Sequence, residues 1–222
     1  MIFLAADTSG KEGSLALARA DGKALEILEV FALEGGNFSA QLVPQIAHLL
    51  AKHGFNQTDV GGFAVATGPG SFTGLRVGLA AIKGLAEALQ KPVAAVSRLE
   101  AVARAGGVQG KVFAALDAGR KEAYLGDYEI TGASATASRE HLLSWGEIAP
   151  YASGLPVVTP DRLVADAVRS AGGVVREIDS PRADSIAQLG WSRFLAGDLA
   201  DVASLEANYI RRTDAEILVH GK

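Results

Sequence analysis

Two stretches of the chain overlay without a gap: FLAADTSGKEGSLALARADG (3–22) and FAALDAGRKEAYLGDYEITG (113–132). Phe3 meets Phe113, Ala5 meets Ala115, Asp7 meets Asp117, Leu15 meets Leu125 and Gly22 meets Gly132. Each stretch opens with a continuous apolar run ending in an aspartate, the pattern of a strand covered on both faces. A turn and a second apolar run follow. The offset is about half of the 222 residues, so the expected architecture is α/β with two related subdomains. Each would open with a strand–Asp–turn–strand hairpin.

The rest of the first half extends this plan. Residues 2–7, 13–20 and 24–33 read as three strands, with Asp21-Gly22 supplying a hairpin turn. Leu42, Ile46, Leu49 and Leu50 give a helical stripe over roughly 39–53. GGFAVAT (61–67) and PVAAVS (92–97) are strand-like, and a helix of about 73–90 lies between them. The order is β-β-β-α-β-α-β for a first subdomain of 1–103. RAGGVQGK (104–111) reads as a hinge and 112–180 as a second, reduced subdomain. Within it, 130–140 reads as a loop, with short strands near 155–160 and 173–178 around a helix at 161–171. Ser185 and Gln188 resemble a capping box for a helix running to about Leu195. The segment 181–222 is expected to return to the first subdomain and end in an exposed tail.

Charge and cysteine content narrow the function classes. The net charge of −4 is unlike that of a free-standing nucleic-acid binder. The absence of cysteine removes disulfides, thiolate metal sites and cysteine nucleophiles. The start, MIFLAAD, lacks a basic region, and its apolar run stops at Asp7. It therefore reads as the first strand of a cytoplasmic protein rather than a signal or a membrane span.

The chemistry-bearing candidates lie at two places. Asp7, Thr8 and Ser9 end the first strand, and Asp117 ends its counterpart. An aspartate so placed can hold a metal–phosphate or act as a base, and two facing Asp hairpins are how an actin-like cleft grips phosphates. The plainer reading is an Asx or Ser/Thr turn closing the hairpin. The second place is TGPGSFTGLRVGLAAIKGLAEA (67–88), a glycine loop running into a helix. Gly68, Gly70 and Gly74 are spaced G-x-G-x-x-x-G, which is neither the dinucleotide nor the P-loop fingerprint, and no Lys-Ser/Thr follows. Phe72 stands where a phosphate loop wants a small residue. Ser71 or Thr73 is a natural N-cap. Arg76, near the positive end of the helix, needs an anion: a carboxylate of the fold, a partner's carboxylate or a phosphate.

The helix after this loop carries two stripes. Leu75, Leu79, Ile82, Ala86 and Leu89 suit a sheet. Val77, Ala81, Gly84 and Ala88 are small enough to admit another helix, from this fold or from a partner. His48 and His53 are five apart, so they do not form an i,i+4 metal pair, and no His-x-x-x-His occurs. Each lone histidine is expected at a surface or a helix end. No G-x-S-x-G elbow supports serine catalysis.

AADTS, TGPGSFTGLRVGLAAIKGLA, LDAGRKEAYLGDY and NYIRRTDAE, in this order and over essentially the whole chain, resemble the bacterial TsaB family, also called YeaZ. The resemblance implies an actin-like ATPase (ASKHA) fold with two related subdomains. It also implies a role in making threonylcarbamoyladenosine beside the tRNA anticodon. In this role a TsaB-like subunit is not catalytic by itself. It binds and stabilises the transferase TsaD, helps recruit TsaE, dimerises when alone and meets tRNA only through the complex, with no membrane. ATP and metal then belong to partner subunits. TsaD carries His-x-x-x-His on its first long helix. The comparable stretch here reads FSAQLVPQIAHLLAKH, with Phe38-Ser39-Ala40-Gln41-Leu42 where relatives often have His-Ser-x-x-Leu. Pro44 within that helix deletes a backbone donor. The resemblance places the partner surface on the two helices 39–53 and 73–90, with Leu42, Ile46, Leu49, Val77, Ala81, Gly84 and Ala88 as candidate contacts. An actin-like ATPase or phosphotransferase using Asp7 and Asp117 is the competing expectation.

Overall fold

The computed structural model describes residues 1–132 and 134–211. The elements run β1 (Ile2–Asp7), β2 (Gly13–Asp21), β3 (Ala24–Leu33), α1 (Phe38–Lys52), β4 (Val60–Gly68), α2 (Phe72–Leu89), β5 (Val93–Ser97) and α3 (Arg98–Ala105). They continue as β6 (Gly110–Gly119), β7 (Glu122–Thr131), β8 (Ser134–Ser144), α4 (Trp145–Ala152), β9 (Val157–Thr159), α5 (Arg162–Ser170), β10 (Val175–Glu177) and α6 (Ala183–Ala196).

Two five-stranded sheets repeat one plan. The first has the order β3-β2-β1-β4-β5 and the second β8-β7-β6-β9-β10. In each, the aspartate-ended strand is central, antiparallel to the strand after it and parallel to the next but two. Both halves therefore read β-β-β-α-β-α-β, the subdomain plan of the actin-like ATPase fold. One compact unit comprises Met1–Ala101 with Pro181–Ala207. The other comprises Val102–Ser180 with the described residues from Asn208. The division falls inside α3, a few residues before the expected hinge at 104–111, and 208–211 group with the second unit.

In the first unit the alternation of β1 sorts its side chains. Ile2, Leu4 and Ala6 pack under α1 and α2 with Leu42, Ile46, Leu49, Leu79 and Ile82. Phe3 and Ala5 face the other way, in an alanine-rich layer closed by Ile186, Ala187 and Trp191 of α6. Trp191 and Phe194 set their rings edge-on to Phe3, at centroid distances of 5.6 and 5.9 Å. Continuous burial of β1 explains its unbroken apolar run. In the second unit α4 and α5 cover one sheet face through Ile148, Val164 and Val168, against Ala115, Ala123 and Leu125.

Three expectations change. Most of 130–140, read as a loop, is strand: 134–140 belong to the edge strand β8, paired with β7 from Thr131↔Ser134 to Glu122↔Ser144. An edge strand half open to water tolerates small polar residues, so SATASRE lacks the apolar signature of an interior strand. The box at Ser185–Gln188 is not formed, because α6 begins at Ala183 and Ser185 lies inside it. The Ala183 amide instead donates to Ser14 Oγ of β2 at 2.9 Å, a cap from a distant strand. The helices α3 and α4 were unforeseen, although Ser144 and Glu147 make a capping box at α4. Of the expected exposed tail, Arg211 pairs with Glu122 and is half-buried, and 212–216 lie outside the described residues.

Candidate functional site: the Asp7 turn, the glycine loop and the outer face of α1 and α2

Asp7 ends β1 and is buried, as are Thr8 and Ser9. Its Oδ1 accepts from the Ser9 amide at 2.8 Å and from the Ser9 hydroxyl, and its Oδ2 lies 3.9 Å from Arg98 Nε. This is an Asx turn with a half-buried cation beside it. Its carboxylate is committed to its own chain.

The same turn seats itself in the glycine loop. Thr8 Oγ1 donates to the carbonyl of Gly74 at 2.7 Å, and the Ser71 amide donates to the carbonyl of Ser9 at 2.7 Å. Ser71 is the N-cap of α2, its Oγ accepting from the Gly74 amide at 3.2 Å. A Cβ at Gly74 would lie 2.0 Å from the Thr8 carbonyl oxygen, and one at Gly70 would lie 2.3 Å from that of Ser9. The glycines therefore make room for backbone. The N-terminal amides of a helix can hold phosphate, but here Ser9 O and Ser71 Oγ occupy the Ser71 and Gly74 donors. Gly68 supplies a φ of +103° at the start of the loop. Thr73 is exposed. Arg76, also exposed, stacks its guanidinium on the Phe72 ring 3.7 Å from the centroid.

Asp117 is differently placed. It is exposed, its Oδ1 accepts from the Gly119 amide at 2.9 Å, and its own amide donates to Asp161 Oδ2 at 2.7 Å. Arg120 and Lys121, with φ of +57° and +61°, make a two-residue hairpin turn. No Thr-Ser pair follows, and the turn meets the N-cap of α5 only through the bond from the Asp117 amide to the Asp161 carboxylate.

Burial sorts the candidate partner contacts. Leu42, Ile46 and Leu49 are only 1–2% exposed and belong to the core under α1, so they are not contact residues. The stripe that most resembles a docking face by hydrophobicity is the one the sheet needs. Val77 and Ala81 are half-buried against the same core, while Gly84 and Ala88 are exposed. The outward face of α1 is instead Ala40, Val43, Pro44, Ala47 and Ala51, and that of α2 includes Ala80, Gly84 and Ala88. The periodicity held this face too, one step round the helix from the leucines. Val43 is 44% exposed.

Among the described residues no three His, Cys, Asp or Glu side chains gather as metal ligands. His53 stands at the end of α1, 2.8 Å from Glu29, which also takes Lys52; these partners hold the Glu29 carboxyl below its ordinary value. His141 departs from the surface expectation, for it sits largely buried on β8, with Nδ1 3.9 Å from Asp127 Oδ1. Tyr151 of α4 packs edge-on to it and donates to Asp127 Oδ2 at 2.7 Å. Burial lowers the His141 pKa, against the pull of Asp127. No described helix is long and apolar enough to cross a membrane.

Known proteins resemble the chain in sequence and fold. The family model described as TsaD, tRNA N6-adenosine threonylcarbamoyltransferase, matches residues 34–204. The tRNA threonylcarbamoyladenosine biosynthesis protein TsaB of Bacillus subtilis (strain 168) is 29% identical over 228 residues, spanning 97% of this chain and 96% of that protein. TsaB of Escherichia coli (strain K12) is 33% identical over 132 residues, 58% of this chain and 55% of that protein. The solved structure of YeaZ from Pseudomonas aeruginosa superposes with a TM-score of 0.78 at 25% identity, covering 94% of this chain and 99% of that one.

Proposed function

Because the chain belongs to the family of the tRNA N6-adenosine threonylcarbamoyltransferase model, and within it to the TsaB (YeaZ) proteins of tRNA threonylcarbamoyladenosine biosynthesis, we propose that it is a non-catalytic scaffold subunit of the threonylcarbamoyl transfer complex. It acts by presenting the outward face of α1 and α2 to a TsaD-type transferase, which it binds and stabilises, and the assembled pair recruits TsaE. Nucleotide and metal are held by those partners, tRNA is met through the assembly, and the work is done in the cytoplasm.

The observation that carries this reading is the pairing of an uncovered apolar helix face with a filled glycine loop. Ala40, Val43, Pro44 and Ala47 on α1 are exposed beside Ala80 and Gly84 on α2. Such a face costs solubility unless something covers it. At the N-terminus of α2 the Ser71 and Gly74 amides are taken by Ser9 O and Ser71 Oγ.

Reconstituted transfer to tRNA tests the reading. Omitting this chain from a mixture of TsaD, TsaE, the threonylcarbamoyl-AMP synthase and tRNA should abolish modification. Ala47→Glu should weaken binding to TsaD by about a hundredfold, the effect of a charge at the centre of an interface, without changing the fold. Full-rate modification in its absence would overturn the scaffold role.

A further inference from the structure

Residues 200–211 form no helix or strand, yet they are fastened at both ends. The first part lies on the first unit. The Ala200 amide donates to the carbonyl of Val93, on the edge strand β5, at 2.8 Å. Leu205 is buried in the core that holds Leu79, Ile82 and Ala86 of α2, and Ala200, Val202 and Ala207 pack against it. Asp201 accepts from the Ala203 amide at 3.2 Å and from the Ser204 hydroxyl at 2.9 Å, which closes a turn. Lys83 of α2 holds the end of that turn, its Nζ donating to the carbonyls of Ala203 at 3.2 Å and Leu205 at 2.9 Å. An ammonium on two carbonyls is a stronger fastener than a neutral bond.

The last part lies on the second unit, which takes up the chain again from Asn208. Asn208 Nδ2 donates to Glu140 of β8, which also accepts from the Tyr128 hydroxyl. Arg211 pairs with Glu122 of β7. Glu206 and Ala207 alone separate Leu205 from Asn208. Those three steps of chain span at most about 11 Å when fully extended, so they hold little slack. A displacement of Asn208 beyond that slack must reach Leu205 or break a bond.

We propose that residues 200–211 are a strap through which the second unit sets how firmly α2 is held, with Lys83 and Asn208 as its fasteners. α2 is the helix that the proposed function sets before another protein, so whatever displaces 208–211 in the second unit loosens the docking helix in the first. That consequence rests on the proposed function; the strap itself does not.

Amide hydrogen exchange of the isolated chain tests the strap, with Lys83→Met, Lys83→Arg, Asn208→Asp and the double variant of Lys83→Met with Asn208→Asp. Lys83→Met keeps the apolar stem and removes the donors, and should speed exchange of the α2 amides from Leu79 to Ala86 by about tenfold, the loss of a charge-assisted bond. Lys83→Arg should restore slow exchange. Asn208→Asp sets a like charge against Glu140 in the other unit and should speed the same α2 amides by at least about threefold, with the β2 amides from Leu15 to Ala18 unchanged. Effects at sites in separate units otherwise add. Here the double variant should exchange no faster than Lys83→Met, because a strap already released transmits nothing. Unchanged α2 amides in Asn208→Asp, additive effects in the double variant, or β2 amides that speed up as much as those of α2 would each overturn the strap. Affinity for the TsaD-type transferase separates this from the docking role. Weaker binding by Asn208→Asp supports both. Normal binding beside a loosened α2 would keep the strap and take the docking role from the helix.

Discussion

The two aspartate hairpins descend from one pattern and end in different circumstances. In the first unit, Asp7 is buried, tied to Ser9 and Arg98, and followed by a five-residue turn that lies in the glycine loop of α2. In the second, Asp117 is exposed and followed by a tight turn through Arg120 and Lys121. A pair of hairpins built to grip phosphate would keep both turns open. One of these is spent on holding its own helix, and the other meets the N-cap residue of α5 through a single backbone donor. The strands of the repeat are retained where sheets need them. The turns differ in burial and in what receives them.

Substitutions that separate the two turns are ordered by how much each is packed. Gly74→Ala forces a Cβ to within 2.0 Å of the Thr8 carbonyl and should cost about 3–5 kcal/mol in urea unfolding. Gly119→Ala, with φ of +73° and open space, should cost about 1 kcal/mol. Equal losses would erase the contrast. Asp7→Ala strands two buried donors on Ser9 and removes the carboxylate beside Arg98, for about 3 kcal/mol. Asp117→Ala loses one exposed bond, for about 0.5 kcal/mol. Ser14→Ala removes the cap of α6 and should cost about 1 kcal/mol, whereas Ser185→Ala should be close to neutral.

Acid should loosen the units in different windows. The His141 pKa is lowered in the fold from its ordinary 6.5, so the neutral form is preferred there. The stability this contributes is full above that value and is lost as pH falls below it toward the folded value. Glu29 is also lowered, from 4.5, so its contribution is present above that pH and is lost only below it. Amide exchange followed against pH should therefore show β8 and α4 opening first, and His141→Gln should remove that early step. Simultaneous opening of α1 and α4 would contradict the assignment.

Much of the fold was legible because its signals are local or repeated. Apolar runs ending in Asp7 and Asp117 marked the central strands, and the glycine spacing excluded the nucleotide fingerprints. What escaped was written in distant contacts. No local pattern shows that Ser14 caps α6, that Arg98 backs Asp7, or that Lys83 turns to the carbonyls of Ala203 and Leu205. The edge strand β8 escaped because water, not packing, meets much of its surface. The partner face was half legible. Leu42, Ile46 and Leu49 were read as contacts because helical periodicity finds the apolar side, and that side belongs to the sheet. The candidate contacts that remain are small residues, whose signal is weak until burial has claimed the large ones.

The central claim is that the glycine loop is a socket for the Asp7 turn and that α2 addresses another protein. Backbone amide resonances of Ser71 and Gly74, followed during titration of the isolated chain with magnesium-ATP, test it most directly. The account predicts that neither moves, because Ser9 O and Ser71 Oγ already hold those donors. A saturating shift of both amides at micromolar nucleotide would contradict it.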